Sequence, residues 1–422
     1  MMANNRLSRN VWTLLSSAAV ICLVGTGGLG AQQSTAPAAP AATPQKPTND
    51  YWVYVGAESA DQLHRIRFGP AGAVVEKTIN IGELPTEMEG PHGLIISRDG
   101  KWMYMTTGHG FPDGKFWKFA AGPDTLVGEP ILLGNFPASI DVTPDGLYTL
   151  SANFNLHGDM VPSSISAVYT ASNTEVAHIV TCTMPHGSRI DPTGSFQYSG
   201  CMMDDQLVEI DLHKFAVSRR FSVAKGKEGP LPAMGDHMLQ MAIDGARKIS
   251  KGATDDPAQV GYAVLGEMRH EMAPNSCSPT WAQPSFDGAK IFVACNKADE
   301  ILEVDRDQWN VSRRIKTGRG PYNLAVTPDG KLLLATLKQG GMFEIFDLAS
   351  GKSLAQLKNS TTIANGIAVT PDSKYAFVSS EGVGAAPGKV DVYDLRALAK
   401  VGSVDVSQQA GGIAFWKMEP AR

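Results

Sequence analysis

The sequence predicts an all-β fold: a seven-bladed β-propeller whose C-terminal strand closes the N-terminal blade, with one partly helical insertion. Three observations predict it. A tight-turn phrase recurs around Asp99, Asp145, Thr193, Asp287, Asp329 and Asp372, as in SRDGKWMYM, TPDGLYTL and TPDGKLLLA. Its copies stand about 45 residues apart, with one gap of about twice that, a period that four short strands fill. Apolar or alternating runs of strand length flank each copy, such as GLIIS before the first turn and KWMYM after it.

The elements follow from that register. Asp-Gly after Pro is the chemistry of a short hairpin connection, so each phrase joins a first strand to a second. Third strands read QLVEIDL (206–212), EILEVDR (300–306), MFEIFDL (342–348) and KVDVYDL (389–395). Their alternation with period two belongs to sheets, not helices. Polar-apolar stretches such as VSRRFSV and SLAQLKN supply fourth strands. First strands open near His92, Ala138, His186, Thr280, Tyr322, Asn365 and Gly411. The last of these, AGGIAFWKM, has no hairpin partner after it, while YWVYVGA from Tyr51 reads as a second strand lacking its first. Joining the two closes the ring and removes exposed sheet edges. Residues 229–276 contain no turn phrase and hold the helical-looking DHMLQMAIDGARKI, so they read as an insertion on the axial face.

Residues 1–31 carry Arg6 and Arg9, an apolar run from Val11 to Val24 and then small residues, the pattern of a secretory signal peptide. A Pro/Ala/Thr-rich linker (32–49) precedes the folded part, 50–422. A periplasmic or secreted protein is expected, with no stable membrane span after signal cleavage. Losing Arg6 and Arg9 lowers the formal charge of −5 by a further two, and no basic block remains for nucleic acid.

The repeated TPDG phrases, with following strands such as KLLLATL and KYAFVSS, resemble the YVTN-type seven-bladed propellers over about residues 51–417. The resemblance implies the fold and leaves the activity open, because that family includes enzymes, adhesins and binding proteins.

Cys22 leaves with the signal. Cys201 and Cys295 stand at matching places after their turns, and Cys182 and Cys277 each precede the first strand of the same unit. Folding each hairpin about its turn pairs Cys182 with Cys201 and Cys277 with Cys295 as disulfides. The alternative is thiolate ligation of copper or zinc at the same rim.

Six of the nine histidines fall on one end of this scaffold: His92, His109, His157, His186, His237 and His270. His92 and His186 open two first strands, both as Pro-His-Gly. His109 and His157 follow second strands of adjacent units. His237 and His270 lie in the insertion among Met234, Met238, Met241, Met268 and Met272. Histidine with methionine in an exported protein is a soft ligand set that suits copper, and non-covalent haem is the weaker alternative. Glu89 and Asp159 are candidates to orient the rings as hydrogen-bond acceptors, with ordinary rim carboxylates as the alternative reading. A chain with no cofactor is equally consistent with these residues.

Nitrous oxide reductases are similar in architecture, but this chain has no adjacent His-His pair and no appended cupredoxin-like domain. The propeller of cytochrome-type nitrite reductases is a second likeness; the absence of Cys-x-x-Cys-His excludes covalent c-type haem. If the chain is an enzyme, these likenesses imply a metal-dependent oxidoreductase. The competing reading is a non-catalytic scaffold that holds a small molecule or protein partner on its axial face.

Overall fold

The computed structural model describes residues 42–83, 87–109, 114–158, 160–233 and 275–421. Among them the regular structure is all β, apart from a 3₁₀ turn at Glu58–Ala60. The architecture is propeller-like: four-stranded antiparallel units follow one another along the chain. Pro91–Ile96, Pro137–Val142, Pro185–Ile190, Pro279–Pro284, Pro321–Val326 and Ile363–Val369 are the first strands of their units. Each lies where the turn register puts it. The strand Ala410–Pro420 pairs with Asn49–Ala57, so the two ends of the described chain share one sheet, as the unpaired YWVYVGA required.

Five sheets are separate, and a sixth has nine strands. In the nine-stranded sheet two units meet at Pro185–Ile190 and Pro279–Pro284, joined in parallel at Gly187 and Trp281. Gly187 allows that approach, since a Cβ there would meet the Trp281 ring at 2.1 Å.

Burial explains the strand patterns. Second strands such as Leu332–Leu337 (LLLATL) are covered on both faces, so they are apolar without alternation. Outer strands such as Asn310–Lys316 alternate exposed and covered positions, because only one face meets a neighbour. The core is a set of clusters between adjacent sheets, for example Tyr51, Val53 and Phe68 against Phe377, Val390 and Val392. Each phrase turn is pinned by its own side chains. Thr143 Oγ1 donates to Asp145 Oδ1 at 2.6 Å, the same oxygen accepts from Leu147 N at 3.0 Å, and Gly146 takes φ +74°. The left-handed conformation is one that glycine adopts without a Cβ clash.

Both disulfides form as paired by the register: Cys182–Cys201, with Cα atoms 5.9 Å apart, and Cys277–Cys295, at 4.4 Å. Thiolate ligation of a metal by these four sulfurs is thereby corrected. Among the described residues no helix is long and apolar enough to cross a membrane. Residues 234–274, with His237, His270 and the predicted helix, lie outside the described residues, as does Asp159. The described start of the insertion, Gly229–Leu231, pairs with the outer strand Ala216–Ser222 and so begins at the outer edge of its sheet.

Candidate functional site

The first strands surround an axial channel with a cavity of about 410 Å³, a volume that includes the solvent space it opens onto. His92, His186, Tyr322 and Asn365 stand at the mouth, the second residue of each first strand, or the third in Ile363–Val369. The residue just before several of these strands adopts positive φ: Phe136 (+49°), Met184 (+56°) and Gln409 (+57°), with glycine at the matching Gly90 and Gly320. A bulky residue there is held against its backbone preference, and such strain clusters at functional sites.

One buried carboxylate organises the mouth. Glu58, 2% exposed, sits in the 3₁₀ turn that follows the strand Asn49–Ala57. Its Oε1 lies 3.4 Å from His92 Nε2, and its Oε2 lies 3.2 Å from His109 Nε2. Gln409 Nε2 donates to Oε2 at 2.7 Å. His109 Nδ1 is 3.3 Å from His157 Nε2, which continues the chain of polar groups outward. Phe136 packs edge-on against all three of these rings, His92, His109 and His157, and walls them on one side.

Hydrogen bonds fix the tautomers. His92 Nδ1 faces the Ala138 carbonyl oxygen at 2.6 Å and must donate to it, which leaves Nε2 toward Glu58. His186 Nδ1 likewise donates to Thr280 O at 2.9 Å, and its Nε2 accepts from Tyr322 OH at 3.0 Å. Burial and the nearby His92 push the His186 pKa down to about 3, so that ring is neutral. Tyr322 is pushed up by burial and keeps its proton. Lys338 lies over the Tyr322 ring at 4.3 Å and pairs with Glu381 at 3.2 Å. Burial works against the Lys338 ammonium, but Tyr322, Glu381 and Glu58 around it hold its pKa above the ordinary lysine value. Asn365 Nδ2 donates to the same Glu381 oxygen at 2.9 Å.

The structure thus brings together four of the six histidines proposed from the sequence: His92, His109, His157 and His186. Both nitrogens of His186 are already engaged. Glu89 does not orient His92. Its side chain turns away after the left-handed Gly90 and accepts from Glu83 N at 2.9 Å, with Lys115 Nζ at 3.5 Å. Among the described residues no group of three or more His, Cys, Asp or Glu side chains is placed to hold a metal ion.

Sequence reasoning missed Glu58, Lys338 and Glu381, although its own register locates them. His109 and His157 were found because they follow second strands. Glu58 follows the second strand of the closing unit, Lys338 follows Leu332–Leu337, and Glu381 ends Tyr375–Glu381. None of the three is a histidine, the residue type that marks the other positions.

Fold and site define a propeller-like protein with a titratable cluster at the mouth of its axial channel. Among solved structures the chain is similar to a periplasmic gluconolactonase of Pseudomonas aeruginosa, at 14% identity and TM-score 0.62, covering 87% of this chain and 99% of that one. It is also similar to a functionally unknown protein from Desulfotomaculum acetoxidans, at 14% identity and TM-score 0.60, covering 86% and 98%. Hydrazine synthase of Kuenenia stuttgartiensis aligns at 18% identity and TM-score 0.52, over 75% and 80%. At these identities the likeness is one of fold, spread over proteins of varied function. No protein-family model matches the chain, and no curated protein does.

Proposed function

We propose that this chain is an exported, seven-bladed propeller of the YVTN repeat pattern whose axial mouth binds a small polar molecule. The count of seven follows when the nine-stranded sheet is divided at its parallel joint, and apolar cores on both sides of the joint support that division. Export is supported by the two disulfides, which persist in oxidising compartments, together with the leader-like residues 1–31.

One observation carries the binding site. Glu58 is a buried carboxylate whose two oxygens face imidazoles from a different sheet, beside an open cavity. Burying a carboxyl group is costly unless it is hydrogen-bonded, and Glu58 directs its oxygens to His92, His109 and Gln409 at the cavity mouth. The polar chain His92–Glu58–His109–His157 links the cavity wall to the exposed rim, and a bound molecule would exchange protons and hydrogen bonds with it. The reaction class, if any, is acid–base chemistry on that ligand.

A second reading rests on one contact. With Nδ1 committed to Ala138 O, a neutral His92 turns a lone pair toward Glu58 Oε1, and that contact is attractive only with a proton or a cation between them. Copper is the cation that histidine in an exported protein favours. Native mass spectrometry of the undenatured chain, with metal analysis and an absorption spectrum, tests both readings. A small-molecule mass that binds about tenfold or more weakly after Glu58→Gln, roughly one charged hydrogen bond, is expected. Stoichiometric copper lost in the His92→Ala, His109→Ala double variant moves the assignment to the metal. A Soret band does the same for haem. A folded wild type with no metal, whose ligand affinities are the same in Glu58→Gln, contradicts the site.

A further inference from the structure

Deeper in the same channel, Arg189 lines the cavity from the first strand Pro185–Ile190, which also carries His186. Its guanidinium stacks over the Trp281 ring at 4.5 Å, and Nη1 donates to Ser188 O at 2.9 Å and more weakly to Ile140 O at 3.5 Å. No carboxylate comes within ion-pair distance of it among the described residues. Asp141 is the acid whose charge it feels, but the Asp141 oxygens lie beyond ion-pair distance and accept from Val142 N and Ile190 N, each at 2.9 Å. Nε and Nη2 of Arg189 therefore have no protein acceptor among the described residues.

Two neighbours on the channel wall also carry polar side-chain atoms for which the described residues supply no hydrogen bond. Trp281, 5% exposed, has a buried Nε1 with no hydrogen-bond partner. Asn323, 5% exposed, is bonded through its backbone N to Thr336 and through no side-chain atom among the described residues. A buried polar group without a partner costs about 1–3 kcal/mol, a cost that a ligand accepting from the Trp281 indole would remove. A cation, an indole N–H and an amide line one cavity, and the guanidinium is the only charged group of the three.

Resting on the axial-site reading above, we propose that the channel ligand is a small carboxylate, its charged end held by Arg189 with Trp281 and Asn323 beside it. A guanidinium with two free N–H positions presents the planar fork that carboxylates accept. Stacking on Trp281 holds that fork in place without consuming a donor. Burial pulls the Arg189 pKa down with only Asp141 opposing, the electrostatic mark of a cation whose counter-charge is incomplete. The Glu58 cluster at the mouth then meets the uncharged part of the ligand. Carboxylate at one end and proton-exchanging groups at the other describe a small hydroxy- or keto-acid, or an ester of one.

The test is titration of the full chain with malonate and with malonamide, its uncharged isostere, at fixed ionic strength, by calorimetry and thermal shift. Malonate is expected to bind saturably to wild type, and malonamide about tenfold or more weakly, the difference one charge-assisted interaction makes. Arg189→Gln is expected to lose the preference, and Arg189→Lys to keep part of it. Equal binding of the two compounds to wild type, or a malonate preference unchanged in Arg189→Gln, overturns the assignment. So does a wild type that ignores malonate, and the wild-type comparison stands even if a variant fails to fold. Ligand retention at Glu58 is read separately by native mass spectrometry, so failure of the carboxylate assignment is distinguishable from failure of the axial site.

Discussion

The two ends of the same strands differ. At the turn end, one arrangement repeats: Ser97 on Asp99, Thr143 on Asp145, Ser285 on Asp287, Thr327 on Asp329 and Thr370 on Asp372, each a hydroxyl donating to the aspartate two residues on. At the mouth end, the equivalent positions are His92, Ala138, His186, Thr280, Tyr322, Asn365 and Gly411, a different residue at nearly every one. The turn end closes hairpins, and any unit needs the same chemistry for that. The mouth end does not repeat a single side-chain arrangement, and there the chain places the Glu58–histidine cluster and both disulfides. The lesson is that in a repeat scaffold the site lies where the repeat fails.

Three predictions press on that contrast. The largest effect belongs to the disulfides, both of which staple the mouth end. Removing both by Cys→Ser substitution is expected to cost roughly 5 kcal/mol in denaturant unfolding, given typical losses of 2–5 kcal/mol each. Hydrogen exchange should speed up first in amides at the mouth; equal loosening at the turns would break the contrast.

Next in size is the pH response. His186 titrates near 6.5 when unfolded and is pushed down to about 3 when folded. Between those values the unfolded chain binds more protons, so stability falls as pH drops from about 6.5 and is unaffected by this group above it. The loss by pH 4 is on the order of 3 kcal/mol, and a His186→Gln variant should show a shallower acid limb. An identical limb in both proteins would show that the buried ring does not carry the response.

The smallest effect is at the turn end. Asp145→Ala removes the acceptor for Thr143 Oγ1 and Leu147 N, and a loss of about 1–2 kcal/mol is expected. Ligand affinity at the mouth should stay within about twofold, since ΔΔG values at distant sites are nearly independent. A larger change in affinity would mean that the two ends are coupled.

Much of the fold was legible because repeats average out local ambiguity. A single TPDG is one turn, but several in register fix every first strand, the closure of Tyr51 onto the C-terminal strand and the cysteine pairing. The site was legible only where a residue type announced itself. His92, His109, His157 and His186 stood out as histidines, whereas Glu58 looked like any surface acid. Its burial depends on Gln409 and on the closing strand, contacts across nearly the whole chain. Glu89 misled for the converse reason: three residues from His92 in sequence, it is turned away by the backbone at Gly90. Arg189 gave no signal, because an arginine in an alternating strand reads as an outward residue until the axis is known.

The central claim is that function resides at the axial mouth and channel, not at the turn end or the outer rim. Soaking crystals with a library of small polar fragments tests it most directly. Bound density should concentrate in the cavity bounded by His92, His186, Arg189, Tyr322 and Asn365, and should thin in Glu58→Gln crystals. Fragments that bind elsewhere and leave this cavity empty would contradict the claim.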